Sequence, residues 1–260
     1  MKTTSLHSLG LLLFTILLSF TSFAQEREYY ELKTYTLKNE NQEKRVDAYL
    51  KNAYLPALKR MGINGVGVFK VRPDAYKLSN KIYVLTPFAS LEAFENLKNM
   101  LAVDKTYMSA GADYINATHD NTTFERISSV LMRAFPDMPK MEPTDVEGPR
   151  TDRVYELRSY EGPTEAMYQR KVNMFNEGGE VELFESLGFN AVFYADVIIG
   201  DKMPNLMYMT TFPNMEKRDA LWNDFGNAPK WKEISGMDIY KNTVSHADID
   251  LLYPTEYSDY

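Results

Sequence analysis

The sequence predicts an α+β protein built as two tandem ferredoxin-like βαββαβ units, residues 25–135 and 151–260, packed sheet to sheet. Three observations carry this. The strand Tyr30-Glu31-Leu32-Lys33-Thr34-Tyr35 returns about 125 residues later as Tyr155-Glu156-Leu157-Arg158-Ser159-Tyr160. The elements after each copy follow the same order, and a repeat this long means two small domains rather than a solenoid. Between them, residues 136–150 hold four of the chain's twelve prolines and read as a linker.

In the first unit, residues 29–37 alternate as a strand. A helix follows over 42–61, with Val46, Tyr49, Leu50, Ala53, Leu58 and Met61 at helical spacing, and Gly62 stands where a left-handed cap is expected. Residues 65–71 and 82–86 read as strands separated by a loop that opens at Pro73-Asp74. A helix over 91–101 puts Phe94, Leu97 and Leu101 on one face; a shorter one covers 105–114, and a closing strand covers 126–132.

The second unit repeats the pattern. Its strands fall at 154–160, 191–199, 206–211 and 249–253, its helices at 164–187 and 216–225, and Trp231 stands in the place of Tyr107. Both first helices are interrupted near the same point, by Pro56 in one and by Gly178-Gly179 in the other, which marks a kink or break. Strand-helix-strand-strand-helix-strand is the ferredoxin-like order. Each unit covers one sheet face with helices and leaves the other bare. Sheet against sheet, as a pseudo-twofold barrel, buries both bare faces.

Residues 1–24 read as a cleaved secretory leader: Lys2, an apolar run over 9–20, then Ser22-Phe23-Ala24 before Gln25. The run is shorter than the roughly 20 residues of a spanning helix, so no stable membrane insertion is expected after cleavage. The leader is bacterial in style and places the mature protein in the periplasm or outside the cell. With no cysteine in the chain, disulfides, thiolate chemistry and a lipidated junction are excluded. Without Lys2 the balance is 28 Lys and Arg against 36 Asp and Glu, a surface that repels nucleic acid and anionic membranes. A small-molecule ligand and a homo-oligomer both stay open as partners.

The Tyr-Glu-Leu-Lys/Arg-x-Tyr opening of each unit and the closing Leu251-Leu252-Tyr253-Pro254-Thr255 resemble the NIPSNAP family, of the dimeric α/β-barrel superfamily. The resemblance spans nearly the whole mature chain. It departs at Lys33, where the family usually has arginine, and residues 128–135 match loosely. It implies a dimeric α/β-barrel-type pseudo-dimer within one chain and little about activity. Relatives in the wider superfamily include cofactor-independent monooxygenases and haem-handling enzymes, chemistry that a shared fold does not transfer.

Strand alternation puts Glu31, Lys33 and Tyr35 on one face, and Glu156, Arg158 and Tyr160 on the equivalent face of the second copy. If the apolar faces pack under the helices, these six point into the barrel and form a polar pocket for a small molecule. The plainer reading is cross-strand ion pairing with tyrosines filling volume. His119 and His246 precede the two closing strands, as a proton-transfer or haem-ligand pair or as ordinary loop residues. Trp222 and Trp231 line a cleft between helix and sheet or simply pack in the core. No metal site, cofactor motif, nucleophile elbow or phosphate loop is present. Three functions follow: a binder of a small apolar or amphipathic molecule in the barrel, a cofactor-independent oxygenase or haem-handling enzyme, or an interaction module with a filled barrel. A side-chain-filled barrel interior favours the third, and a connected cavity of about 300 Å3 or more favours the first two.

Overall fold

The computed structural model describes residues 26–76 and 79–260; the expected leader lies outside these residues. In the first unit, β1 (Tyr29–Thr36) leads into α1 (Glu40–Tyr49), a π-helical turn (Leu50–Tyr54) and α2 (Leu55–Arg60). Then come β2 (Gly67–Val71), β3 (Lys81–Phe88), α3 (Leu91–Val103), α4 (Lys105–Ala110), α5 (Ala112–Ile115) and β4 (Arg126–Ala134). The second unit runs β5 (Val154–Glu161), α6 (Glu165–Phe175), α7 (Glu180–Ser186), β6 (Asn190–Ile199), β7 (Asn205–Phe212), α8 (Met215–Asn227), α9 (Pro229–Gly236) and β8 (His246–Pro254).

The caps explain the boundaries. Asn39, Thr164, Ser90 and Asn214 each accept a backbone N–H from three residues on with the side chain, satisfying donors that a helix start leaves free. The two interruptions differ in kind. Pro56 sits in the first turn of α2, just past the π-helical turn, and the helical path continues through it. Between α6 and α7 the helix ends outright: Gly179 adopts a left-handed φ of 83° that suits only glycine well.

The eight strands of the described residues join one closed antiparallel barrel in the order β1-β3-β2-β8-β5-β7-β6-β4. Each unit supplies four neighbouring strands in ferredoxin-like order, and the units close on each other through β2–β8 and β4–β6. The linker is strapped down: Glu28 donates its N–H to the Pro139 carbonyl, Glu142 donates to that of Val192, and the Met138 side chain is buried. Three cores result. One lies inside the barrel, with Tyr30, Leu32, Phe69, Tyr155, Leu157 and Phe193 among its residues. The others lie between each half of the sheet and its own helices. No helix among the described residues is long and apolar enough to cross a membrane.

Candidate functional site

The barrel interior is filled. Tyr30 and Phe193 meet at 5.5 Å between ring centroids, Phe69 and Tyr155 at 4.9 Å, and the Tyr260 ring packs against both Phe69 and Tyr155. What remains is a mouth of about 210 Å3 at one end, beside Thr34, Ser159 and Asp250. The expectation that Glu31, Lys33, Tyr35, Glu156, Arg158 and Tyr160 face the barrel interior is therefore corrected. The interior takes Tyr30, Leu32, Tyr155 and Leu157, and the charged set faces the helices. The physical reason is access to water. Inside the barrel two sheet faces enclose each other, so an ion there would lose its hydration entirely. The helix–sheet layer is open at its rim and also lets helix side chains pair a buried charge, as Arg218 and Trp222 of α8 do for Glu156.

In the second unit this layer is plugged. Glu156, fully buried, accepts from Arg158 Nε at 2.6 Å, from Arg218 Nε at 2.6 Å and from the Trp222 indole N–H at 2.9 Å. The Trp222 ring lies 3.7 Å from the Arg158 guanidinium, in cation–π contact. Burial pushes the Glu156 carboxyl up, but Arg218 and Arg158 outweigh it and hold it below its ordinary range. Arg158 also donates to Tyr160 Oη at 2.7 Å, and Tyr160 shares a hydrogen bond with Tyr208 at 2.9 Å. Trp231 packs tilted against Phe225 at 4.5 Å between ring centroids and closes the same core.

The first unit is open at the equivalent place. A cavity of about 640 Å3 lies between β1 and α3–α4, walled by Tyr49, Tyr54, Phe94, Leu97, Leu101 and Tyr107. Its floor is the Glu31–Lys33 pair at 3.4 Å, with Ser129 Oγ donating to Glu31 at 2.6 Å. Lys33 stands 5.4 Å from the Tyr54 ring centroid. Burial lowers the Lys33 ammonium, yet the neighbouring Tyr54, Glu31 and Tyr114 leave it above its ordinary value, so it stays charged. The Tyr54 hydroxyl is buried, and burial raises its pKa. Tyr35 lies beyond the floor, accepting from Tyr114 at 3.4 Å.

Sequence reasoning thus named the floor of the cleft but missed its walls. The available signal was the mismatch between copies, since Lys98 occupies the α3 position that Trp222 holds in α8. The histidines join neither cleft. His119 is exposed in a turn, and His246 is exposed as the first residue of β8. His246, Asp248 and Glu161 lie close enough to share a cation, but Lys202 already pairs with Asp248 and approaches Glu161 to 3.8 Å.

The NIPSNAP family model matches residues 30–139 and again 155–259. The chain belongs to the NIPSNAP family. Each match coincides with one βαββαβ unit, so the single barrel is a fused pair of NIPSNAP units. Among solved structures, a provisionally assigned monooxygenase from Fusobacterium nucleatum subsp. nucleatum matches with a TM-score of 0.55 at 10% identity, over 88% of this chain and 93% of its own. Another provisionally assigned monooxygenase, from Lactobacillus acidophilus, has a TM-score of 0.53 at 14% identity, over 88% and 94%. An anthrone oxidase-like protein has 0.50 at 13%, over 90% and 93%. At such identities these likenesses establish the dimeric α/β-barrel fold alone. No curated protein matches the chain significantly.

Proposed function

We propose that this NIPSNAP protein binds a small amphipathic molecule, and that the binding place is the helix–sheet cleft of the first unit. The observation that carries this is the open cleft of about 640 Å3, within the usual range of ligand pockets and walled by aromatic and aliphatic side chains. The Glu31–Lys33 pair forms its floor, the Tyr49 and Tyr107 hydroxyls bond each other in its wall, and Glu95 and Lys98 are exposed at its rim. An apolar body with a polar end fits such a lining. The filled barrel moves the ligand away from the interior that strand alternation suggested. Residues 1–24, read as a leader, would place this binding in the periplasm or outside the cell.

The oxygenase reading draws support from the fold of its neighbours only. Among the described residues the cleft is lined by no histidine, asparagine or tryptophan. The test is a titration of the purified protein with Nile red, a neutral apolar dye, followed by fluorescence and native mass spectrometry. One dye per chain is expected, and none in Lys98→Trp, which would place an indole where the second unit has one. Absence of a saturable one-to-one complex, or equal binding by Lys98→Trp, would overturn the reading.

A further inference from the structure

We infer that the ligand of the open cleft is a planar aromatic molecule bearing an N–H or O–H donor, seated over Lys33 and donating to Glu31. This deepens the reading above and rests on it. Its chemistry comes from the second unit, where a side chain of this same protein occupies the corresponding space.

The correspondence is tight. Helices α3 and α8 are both 13 residues long and both begin at a side-chain cap, Ser90 and Asn214, that binds the third N–H onward. Counting from the caps pairs Phe94 with Arg218, Leu97 with Leu221, Lys98 with Trp222 and Leu101 with Phe225. The strands beneath pair Glu31 with Glu156 and Lys33 with Arg158. In the second unit the Trp222 indole does two things: it lies against the Arg158 cation, and it gives its N–H to the buried Glu156 carboxylate.

In the first unit only one service is performed: the Tyr54 ring lies 5.4 Å from Lys33, and among the described residues no ring N–H reaches Glu31. Glu31 is buried, yet only Ser129 and Lys33 contact it among the described residues, against the three donor side chains on Glu156. Phe94 carries no donor, and Lys98 is exposed at the rim. A buried carboxylate with open lone pairs is what an indole-like ligand would complete, and its ring would add to the contact that Tyr54 already makes with Lys33. Glu31 also disfavours anionic ligands, because a second carboxylate would meet like charge in a poorly hydrated site.

The test is displacement of bound Nile red by indole and by 1-methylindole, which has the same ring and no N–H. A hydrogen bond to a charged acceptor predicts that indole displaces the dye at a concentration about tenfold or more lower. Glu31→Gln should shrink that preference while leaving 1-methylindole almost unchanged. Trp222→Ala should open the second cleft and raise the stoichiometry to two indoles per chain; if that variant does not fold, Glu31→Gln decides alone. Equal displacement by the two indoles would overturn the inference and leave binding in the cleft standing. Failure of both Nile red and indole to bind would overturn both.

Discussion

Replacing Glu156 with alanine should destabilise the protein far more than replacing Glu31, although the two residues hold equivalent places. Glu156 is wholly buried and is the shared acceptor for two guanidiniums, whose side chains are only 13% and 12% exposed. Without it, Arg158 and Arg218 are left as neighbouring like charges with little water, and the Trp222 N–H loses its acceptor. Breaking a buried pair by removing one partner costs about 3–5 kcal/mol. In a protein of this size each kcal/mol moves the melting temperature by about 2–4 °C, so a fall of about 6–20 °C is expected. Glu31 holds a single, more exposed lysine at 3.4 Å and one serine hydroxyl. Its loss should cost about 1–2 kcal/mol, the scale of an ordinary buried polar contact. Thermal melts of the two variants beside wild type, under one buffer, decide the matter. If Glu156→Ala melts no lower than Glu31→Ala, the argument that the second cleft is a fixed ionic plug is wrong.

The same carboxylate gives a pH signature. Its folded pKa lies below the ordinary value of about 4.3, so its stabilisation is full above that pH and fades as pH falls through the depressed folded value. The melting gap between wild type and Glu156→Gln should therefore narrow between pH 6 and pH 3; a constant gap would contradict the assignment. Lys171 and Glu180 pair at 2.8 Å with both side chains nearly inaccessible. Lys171→Ala should cost about 3–5 kcal/mol in urea denaturation, and Lys171→Met with Glu180→Leu should recover most of it. A Cβ on Gly178 would stand 2.6 Å from the Met174 carbonyl oxygen and 2.8 Å from its Cα, backbone that cannot swing aside. Gly178→Ala should thus lose about 1–3 kcal/mol. Gly226→Ala, in open space on α8, should gain about 0.5–1 kcal/mol, measured in the same denaturation series.

Much of the fold was legible because the hydrophobic periods are clean. The strand pattern of residues 29–37, the helical spacing through Met61 and the glycine pair at 178–179 each correspond to an element or a break in the structure. The orientation of β1 and β5 was not legible, and the reason is specific. Both faces of these strands are buried, one inside the barrel and one beneath helices, so alternation separates the two sets without saying which layer each joins. Tyr30 and Tyr35 look equally suited to either. The charged residues were recognised as a group, and their partners were not, because Arg218 and Trp222 lie some 60 residues away on α8. The open cleft is harder still to read, since it arises from what Lys98 and Phe94 fail to fill.

The covalent joining of the two units has a consequence for how such a barrel can change. In an assembly of identical subunits, any substitution appears on both sides of the dyad, so a tryptophan that sealed one cleft would seal its mate. Here β2–β8 and β4–β6 close the same barrel between halves that differ in sequence. One half can therefore trade its hollow for a rigid ionic and aromatic plug while the other keeps an open cleft. Fusion turns a symmetric pair into two unlike halves, each free to be altered without echo in the other.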